Sequence, residues 1–287
     1  MADQPPIVTM AQHVRQAVGA ARERSRLIGF VPTMGALHAG HVSLMEAAKK
    51  SVAYVVVSIY VNPTQFGPNE DFSAYPRTMD VDRERCRQAG VDLIFAPEHD
   101  EIYPAGDQTR VCPGPLADTL CGPFRPGHFE GVCTVVAKLF NIVQPDAAYF
   151  GQKDAQQAVI IRRMVKDLRM PVRIEVCPLV RDADGLALSS RNARLRAGQR
   201  EQALSLHRAL CVGRDWLKTG EPSMGRIIAA MRAEIGKYPE VRVDYLSVVD
   251  PETLAPSFPP QSPLMLAGAI RVGEVRLIDN LLVDLQQ

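Results

Sequence analysis

Arg26-Leu-Ile-Gly-Phe-Val-Pro-Thr-Met-Gly-Ala-Leu-His-Ala-Gly-His41 is the stretch on which the fold turns. Its first six residues form an apolar run that meets Pro32, the pattern of a strand running into a loop. From Gly40 onward, Val42, Leu44, Met45 and Ala48 fall at helical spacing, and Lys49 and Lys50 sit at the end where a helix dipole favours cations. Residues 52–61 are almost continuously apolar and β-branched, as suits a strand covered on both faces. Residues 62–77 are rich in Pro, Gly, Asn and Asp and read as a loop; residues 78–89 read as a charged helix, and residues 91–96 as a third strand stopped by Pro97. Strand, helix, strand, helix, strand predicts a parallel sheet with right-handed crossovers. Ligands of such sheets bind outside the carboxyl ends of the strands, where the loops at residues 32–41 and 62–77 leave. A strand at residues 147–150, a helix at 155–168 and a strand at 172–177 extend the alternation.

The pattern changes near residue 180. Helices at 197–218 and 224–235 precede strands at 241–249 and 271–278, with a Pro-rich loop at 255–263 between the strands. The expected organisation is therefore α/β: a Rossmann-like domain over residues 1–179 and a smaller α+β domain over residues 180–287. A formal net charge of +1 in 287 residues gives no global field for nucleic acid or an anionic membrane. The most apolar run, residues 52–61, is too short to cross a bilayer. The first ten residues lack the basic and apolar regions of a signal peptide. Six cysteines without a C-x-x-C pair read as reduced thiols, which places the chain in the cytoplasm as an expectation.

The chemistry starts at the same stretch. Gly35 and Gly40 have Walker A spacing, but His41 and Val42 stand where that loop needs Lys and Ser or Thr, so the P-loop reading fails. What remains is His38 and His41, three residues apart at the expected start of a helix, where backbone N–H groups and ring donors face an anion together. This is the H-x-G-H pattern of nucleotidyl-transfer enzymes, which hold ATP phosphates and stabilise charge at the α-phosphorus. Two unrelated surface histidines, or an i, i+3 pair of zinc ligands, are the competing readings; no third ligand of the H-E-x-x-H type lies nearby.

Five ordered segments sharpen the likeness. They are Pro32-Thr-Met-Gly-Ala-Leu-His-Ala-Gly-His41, Val61-Asn-Pro-Thr-Gln-Phe66, Tyr75-Pro-Arg-Thr78, Phe150-Gly-Gln-Lys-Asp-Ala-Gln-Gln157 and Arg181-Asp-Ala-Asp-Gly-Leu-Ala-Leu-Ser-Ser-Arg-Asn192. Together they resemble the pantothenate synthetase family, strongly over residues 28–192 and more weakly beyond. The resemblance implies a two-step ligase reaction. The carboxylate of (R)-pantoate attacks the α-phosphate of ATP to give pantoyl adenylate and pyrophosphate, and the amine of β-alanine then displaces AMP. It also implies Mg2+, a homodimer and a C-terminal domain that acts as a lid.

Site roles follow residue by residue. The likeness puts Met34, Gly35, Ala36, Leu37, His38, Ala39, Gly40 and His41 around ATP, with His38 and His41 catalytic. Gly151, Gln152, Lys153 and Asp154 form a second part of the ATP site, in which the Lys153 cation suits phosphate oxygens and Asp154 the ribose hydroxyls. Leu188, Ser189, Ser190 and Arg191 supply hydroxyls and a guanidinium for the triphosphate, and Val180 meets adenine through its backbone. Lys153 and Arg191 join the catalytic set. An exposed Lys153–Asp154 ion pair and a helix cap at Ser189 are the ordinary structural readings of the same residues. Gln65 and Gln157 are the implied pantoate ligands, with Gln65 also reaching β-alanine and Met34 and Arg125 near the acid. Asp82 is a candidate for the metal, although a solvated helix face explains Asp80, Asp82 and Glu84 equally well. Two rivals stand beside the ligase: a nucleotidyltransferase acting on a phosphorylated substrate, and a nucleotide-binding regulator without catalysis. The neutral amides of the second and fourth segments disfavour the first, and the intact His38, His41, Lys153 and Arg191 disfavour the second.

Overall fold

The computed structural model describes residues 4–68, 70–257 and 261–285. Residues 258–260 of the expected Pro-rich loop, Asn69 of the loop after the second strand and residues 1–3 lie outside the described residues. The chain falls into two compact units. The first comprises residues 1–113, 125–151 and 160–178; the second comprises residues 114–124, 152–159 and 179–287.

The first unit is built on six parallel strands: β1 (Ile7–Val8), β2 (Ile28–Thr33), β3 (Tyr54–Ile59), β4 (Leu93–Phe95), β5 (Ala147–Gly151) and β6 (Arg173–Cys177). Their order is β1-β4-β3-β2-β5-β6. The chain runs outward from β2 through β3 to β4 and then returns to the other side of β2, so the strand order reverses between β2 and β5. That switch point is where a sheet of this kind opens a ligand crevice. The registers agree: pairing with β5 ends at Phe30↔Ala148, whereas pairing with β3 runs on to Thr33↔Ile59. The sheet opens beside Pro32, which has no N–H to give a neighbouring strand.

Helices α1 (Ala11–Glu23), α2 (Ala39–Ser51), α3 (Met79–Gln88), α4 (His99–Ile102), α5 (His128–Val143) and α6 (Ala155–Asp167) follow in chain order. Val31, Leu37, Met45, Val55, Val57 and Ile94 are fully buried in one core beneath α2, which explains the unbroken apolar run of β3. The sequence reading contains no helix at α5. The signal is present but narrow: Glu130, Thr134, Lys138 and Asn141 recur at helical spacing through an otherwise apolar run.

In the second unit, α7 (Gln199–Lys218) and α8 (Met224–Ile235) pack on an antiparallel sheet of β7 (Arg242–Val249), β8 (Leu264–Val272) and β9 (Val275–Val283), in the order β7-β8-β9. Leu206, Leu210, Ile227, Met231, Leu266 and Ile270 form its core. The single strand expected at residues 271–278 is wrong. A two-residue turn at Gly273 and Glu274 folds this stretch into a hairpin, with Val272 paired to Val275, so residues 271–278 are the end of one strand and the start of the next. Gly273 adopts φ +56°, the turn signal that its apolar flanks concealed.

Candidate active site

The turn from β2 into α2 is shaped by one carboxylate. Gly35 and Ala36 both take positive φ, +78° and +48°, which turns the backbone N–H groups that follow toward α3. There Asp82 Oδ2 accepts from Ala36 N–H at 2.9 Å and Asp82 Oδ1 from Leu37 N–H at 2.8 Å. Thr78 Oγ1 donates to the same carboxylate at 3.2 Å, and Asp82 is only 1 % exposed. Thr33 Oγ1 accepts from Gly35 N–H and donates to the Ser58 carbonyl of β3, fixing the base of the turn. Asp82 therefore holds a loop, and among the described residues no group of three His, Cys, Asp or Glu side chains is arranged to hold a metal. Asp82→Ala strands two loop amides at about 1–3 kcal/mol each. We expect a melting temperature lower by about 5–10 °C, the same with and without magnesium. A stability loss seen only in the presence of magnesium would return Asp82 to a metal role.

The two histidines cap the helix that this loop feeds. His38 is the N-cap of α2 in extended conformation, and its Nδ1 accepts from Gly40 N–H at 3.1 Å. His41 reaches back, its Nδ1 accepting from His38 N–H at 3.2 Å. This is a capping box built from two imidazoles. Because both Nδ1 atoms accept, each ring carries its proton on Nε2, which becomes its donor. The ring centroids lie 4.1 Å apart at the positive end of α2.

Behind this turn the residues after β3 form a single 3-10 turn, Pro63–Gln65, capped by Asn62. Asn62 is 1 % exposed and fully used: its Nδ2 donates to Gln65 Oε1 and to the Gly131 carbonyl, and its Oδ1 accepts from Thr64 N–H and Oγ1. Tyr103 OH then donates to Thr64 Oγ1 at 3.1 Å, and burial holds its phenol above the ordinary value. The Gln65 carbonyl is fixed from the other side. His128 Nδ1–H donates to it at 2.8 Å, and Arg125 donates both to it and to His128 Nε2. Arg125 is in turn held in a two-pronged pair with Glu70 at 2.7 and 2.5 Å. With its oxygen held by Asn62, the Gln65 side chain presents Nε2–H, whose hydrogen bond runs to Met34 Sδ at 3.0 Å. A thioether is a weak acceptor, so this donor is held only loosely and a stronger acceptor would displace it.

Gly131 allows this packing. A Cβ there would lie 2.4 Å from the Thr64 carbonyl oxygen and 2.7 Å from Gln65 N, all backbone atoms with no slack.

The remaining expected residues, apart from Gly151 at the end of β5, lie in the second unit. A Cβ at Gly151 would meet no protein atom within 4 Å. Gln152–Asp154 form a 3-10 turn, with Lys153 Nζ 3.5 Å from Asp154 Oδ2. Asn280 of β9 accepts from Gln152 Nε2 and donates to the carbonyls of Gln152 and Lys153. Gln157 is half-buried on α6. Its neighbour Gln156 is structural, accepting from Cys121 N–H and donating to the carbonyls of Leu116 and Thr119. Val180 and Leu188 close a hairpin, with Leu188 N–H donating to the Val180 carbonyl at 3.0 Å. Ser189 then caps the 3-10 helix Ser190–Arg194, its Oγ accepting from Arg191 N–H. The cap reading of Ser189 is thus realised, and it orients the segment that carries Ser190 and Arg191.

With this geometry in hand, the comparisons with known proteins are specific. A model of the family described as Pantoate-beta-alanine ligase matches residues 6–282. The chain belongs to that family. A pantothenate synthetase of Moorella thermoacetica is 55% identical over 271 residues, covering 94% of this chain and 96% of the relative. Among solved structures, pantothenate synthetase from Thermus thermophilus superposes with a TM-score of 0.90 at 46% identity, over 96% of this chain and 98% of that one. Pantoate-beta-alanine ligase from Francisella tularensis, complexed with beta-gamma ATP and beta-alanine, gives 0.80 at 35% identity over 97% of both chains. The expected Rossmann-like parallel sheet and smaller α+β C-terminal domain are both present, the latter with a three-stranded antiparallel sheet, as in the pantothenate synthetase structures.

Against that family background, sequence reasoning missed the residues that hold the candidate loops in place: Asn62, Glu70, His128 and Gly131 in the first unit, and Asp279 and Asn280 in the second. Asn before Pro is a turn-initiation signal that points to Asn62. Two adjacent polar residues in the otherwise apolar Leu-Ile-Asp-Asn-Leu-Leu run point to the last two. Nothing in the sequence distinguishes Gly131 from other glycines.

Proposed function

We propose that the chain condenses pantoate with β-alanine at the expense of ATP, giving pantothenate, AMP and pyrophosphate through pantoyl adenylate. The observation that supports this reading is the imidazole capping box at the N-terminus of α2: with both Nδ1 atoms accepting backbone N–H, Nε2–H is the ring donor that His38 and His41 would offer an anion there. Charge accumulates on the α-phosphate oxygens as the acid attacks, and donors fixed beforehand stabilise that charge without reorganising. Gln65 supplies the acid ligand. A carboxylate or hydroxyl oxygen replaces Met34 Sδ as the acceptor of its Nε2–H, and the Asn62–Thr64–Tyr103 chain keeps the amide from rotating away. The carboxylate oxygen forms a bond to the α-phosphorus as the bond to the bridging oxygen of pyrophosphate breaks. The neutral amine of β-alanine then adds to the acyl carbon, AMP leaves with the bonding pair, and the amine loses a proton.

Lys153, Ser190 and Arg191 are assigned to the phosphates, Asp154 to the ribose, Gly151 and the Val180 backbone to the nucleoside, and Gln157 to pantoate. Magnesium enters as the ATP complex, held by phosphate oxygens and water, which is how this ion ordinarily travels with nucleotides. It supplies charge neutralisation on the phosphates, and no protein ligand is assigned to it. A homodimer in the cytoplasm completes the reading; among the described residues, no helix is long and apolar enough to cross a membrane.

The test is product formation. Pantothenate should appear only when pantoate, β-alanine and ATP are all supplied; formation of another amide in preference would replace the acid or the amine in this assignment. Gln65→Ala sharpens it: the KM for pantoate should rise by about tenfold or more, while the affinity for ATP stays within about twofold. Equal damage to both substrates would move the acid pocket elsewhere.

A further inference from the structure

Strand β9 carries two adjacent buried polar residues in an apolar run, and each is saturated by a different loop. Asn280, 5 % exposed, directs its whole amide at one turn. Its Oδ1 accepts from Gln152 Nε2 at 2.9 Å, and its Nδ2 donates to the Gln152 carbonyl at 2.9 Å and the Lys153 carbonyl at 3.1 Å. Two consecutive carbonyls held by one amide fix the backbone direction from which the Lys153 side chain leaves. Asp279 binds the other loop. Both of its oxygens take the Arg181 guanidinium, at 2.7 and 2.8 Å, while Arg181 also donates to the carbonyls of Gly185 and Asn280. Arg181 opens the hairpin that bridges to Ala187, and Asn192 Nδ2 donates to the Ala187 carbonyl, so the segment Leu188-Ser-Ser-Arg191 is carried on that hairpin. Successive residues of a strand face opposite sides of the sheet, so one rigid strand reaches a loop on each side.

We propose that Asp279 and Asn280 are positioning residues that set the two nucleotide loops, Gln152–Asp154 and Leu188-Ser-Ser-Arg191, at a fixed spacing. This rests on the assignment of both loops to ATP. Neither residue touches the nucleotide; each acts through the loop it holds. Stability alone does not account for the arrangement, because a buried ion pair in an apolar setting is generally no better than well-packed hydrophobic side chains. Its distinctive property is direction: a fork and an amide each accept one loop geometry and reject its neighbours.

The experiment uses the full chain and five proteins: wild type, Asn280→Ala, Lys153→Ala, the double variant of these two, and Asp279→Asn. A non-hydrolysable ATP analogue is titrated by calorimetry, and the KM values for ATP and pantoate and the melting temperature are recorded. Asn280→Ala should weaken analogue binding and raise the KM for ATP together, by about tenfold, with the KM for pantoate within about twofold. In the Lys153→Ala background most of that loss should vanish, since the amide then has no cation left to place. Asp279→Asn, which keeps the shape but removes the charge, should weaken analogue binding in the same way and covers the case in which Asn280→Ala does not fold. Folded variants with unchanged analogue binding, or losses that simply add between Asn280→Ala and Lys153→Ala, overturn the proposal. Analogue binding needs no acid, so this result stands or falls separately from the ligase reaction.

Discussion

His41→Ala lowers turnover by about two to three orders of magnitude, the usual effect of removing one donor aimed at a developing oxyanion. The same substitution takes away a structural hydrogen bond. His41 Nδ1 accepts His38 N–H in the capping box, and losing a cap costs about 1 kcal/mol. The two effects separate with His41→Asn. An asparagine oxygen at this position still accepts the His38 N–H, but no donor stands where Nε2 stood. The expected result is a melting temperature near wild type for His41→Asn, a few degrees lower for His41→Ala, and turnover equally depressed in both. Turnover of His41→Asn close to wild type would remove the imidazole from the chemistry and leave it only a cap.

Gly131→Ala is the second large effect, and its sign is unusual. Inside a helix, alanine is ordinarily better than glycine by about 1 kcal/mol. Position 131 is an exception because the added carbon would sit 2.4 Å from the Thr64 carbonyl oxygen and 2.6 Å from its carbon. Backbone cannot swing aside as a flexible side chain does, so α5 and the Pro63–Gln65 turn must separate by roughly 1 Å, a misplacement that costs about a hundredfold in rate. That movement also stretches the Asn62–Gly131 hydrogen bond and turns Gln65 out of place. We expect kcat/KM for pantoate to fall by about that factor while binding of an ATP analogue is retained. A variant with unchanged pantoate kinetics would mean that Gln65 does not hold the acid.

These two positions also mark what the sequence reveals and what it conceals. The sequence singles out His38, His41, Gln65 and Lys153 by residue type and spacing: donors beside a glycine, an amide after a strand, a cation past a strand end. The parallel sheet was legible because β2, β3 and β4 are short apolar runs separated by helical spacing. The supporting residues were hidden for a physical reason. Asn62 meets Gly131 across 69 residues, Asp82 meets Leu37 across 45, and Asn280 meets Gln152 across 128. Such contacts exist only once the sheet has formed, and no local pattern encodes them. Asp82 illustrates the difficulty. On a helix with Asp80 and Glu84 it reads as one of several solvated acids or as a metal ligand, yet it lies on the opposite side from those two, beside the buried Cys86, and its carboxylate shapes the loop that leads into α2. The hairpin at Gly273 was missed for a simpler reason: a two-residue turn between β-branched residues leaves the apolar pattern almost unbroken.

The central claim, that the acid is activated on the α-phosphate before the amine arrives, is tested most directly by pyrophosphate release from ATP and magnesium with pantoate present and β-alanine withheld. The account predicts a burst close to one pyrophosphate per active site, with AMP following only when β-alanine is added. No burst from a protein that binds ATP, with pyrophosphate appearing only alongside pantothenate, would contradict a free-standing adenylate step.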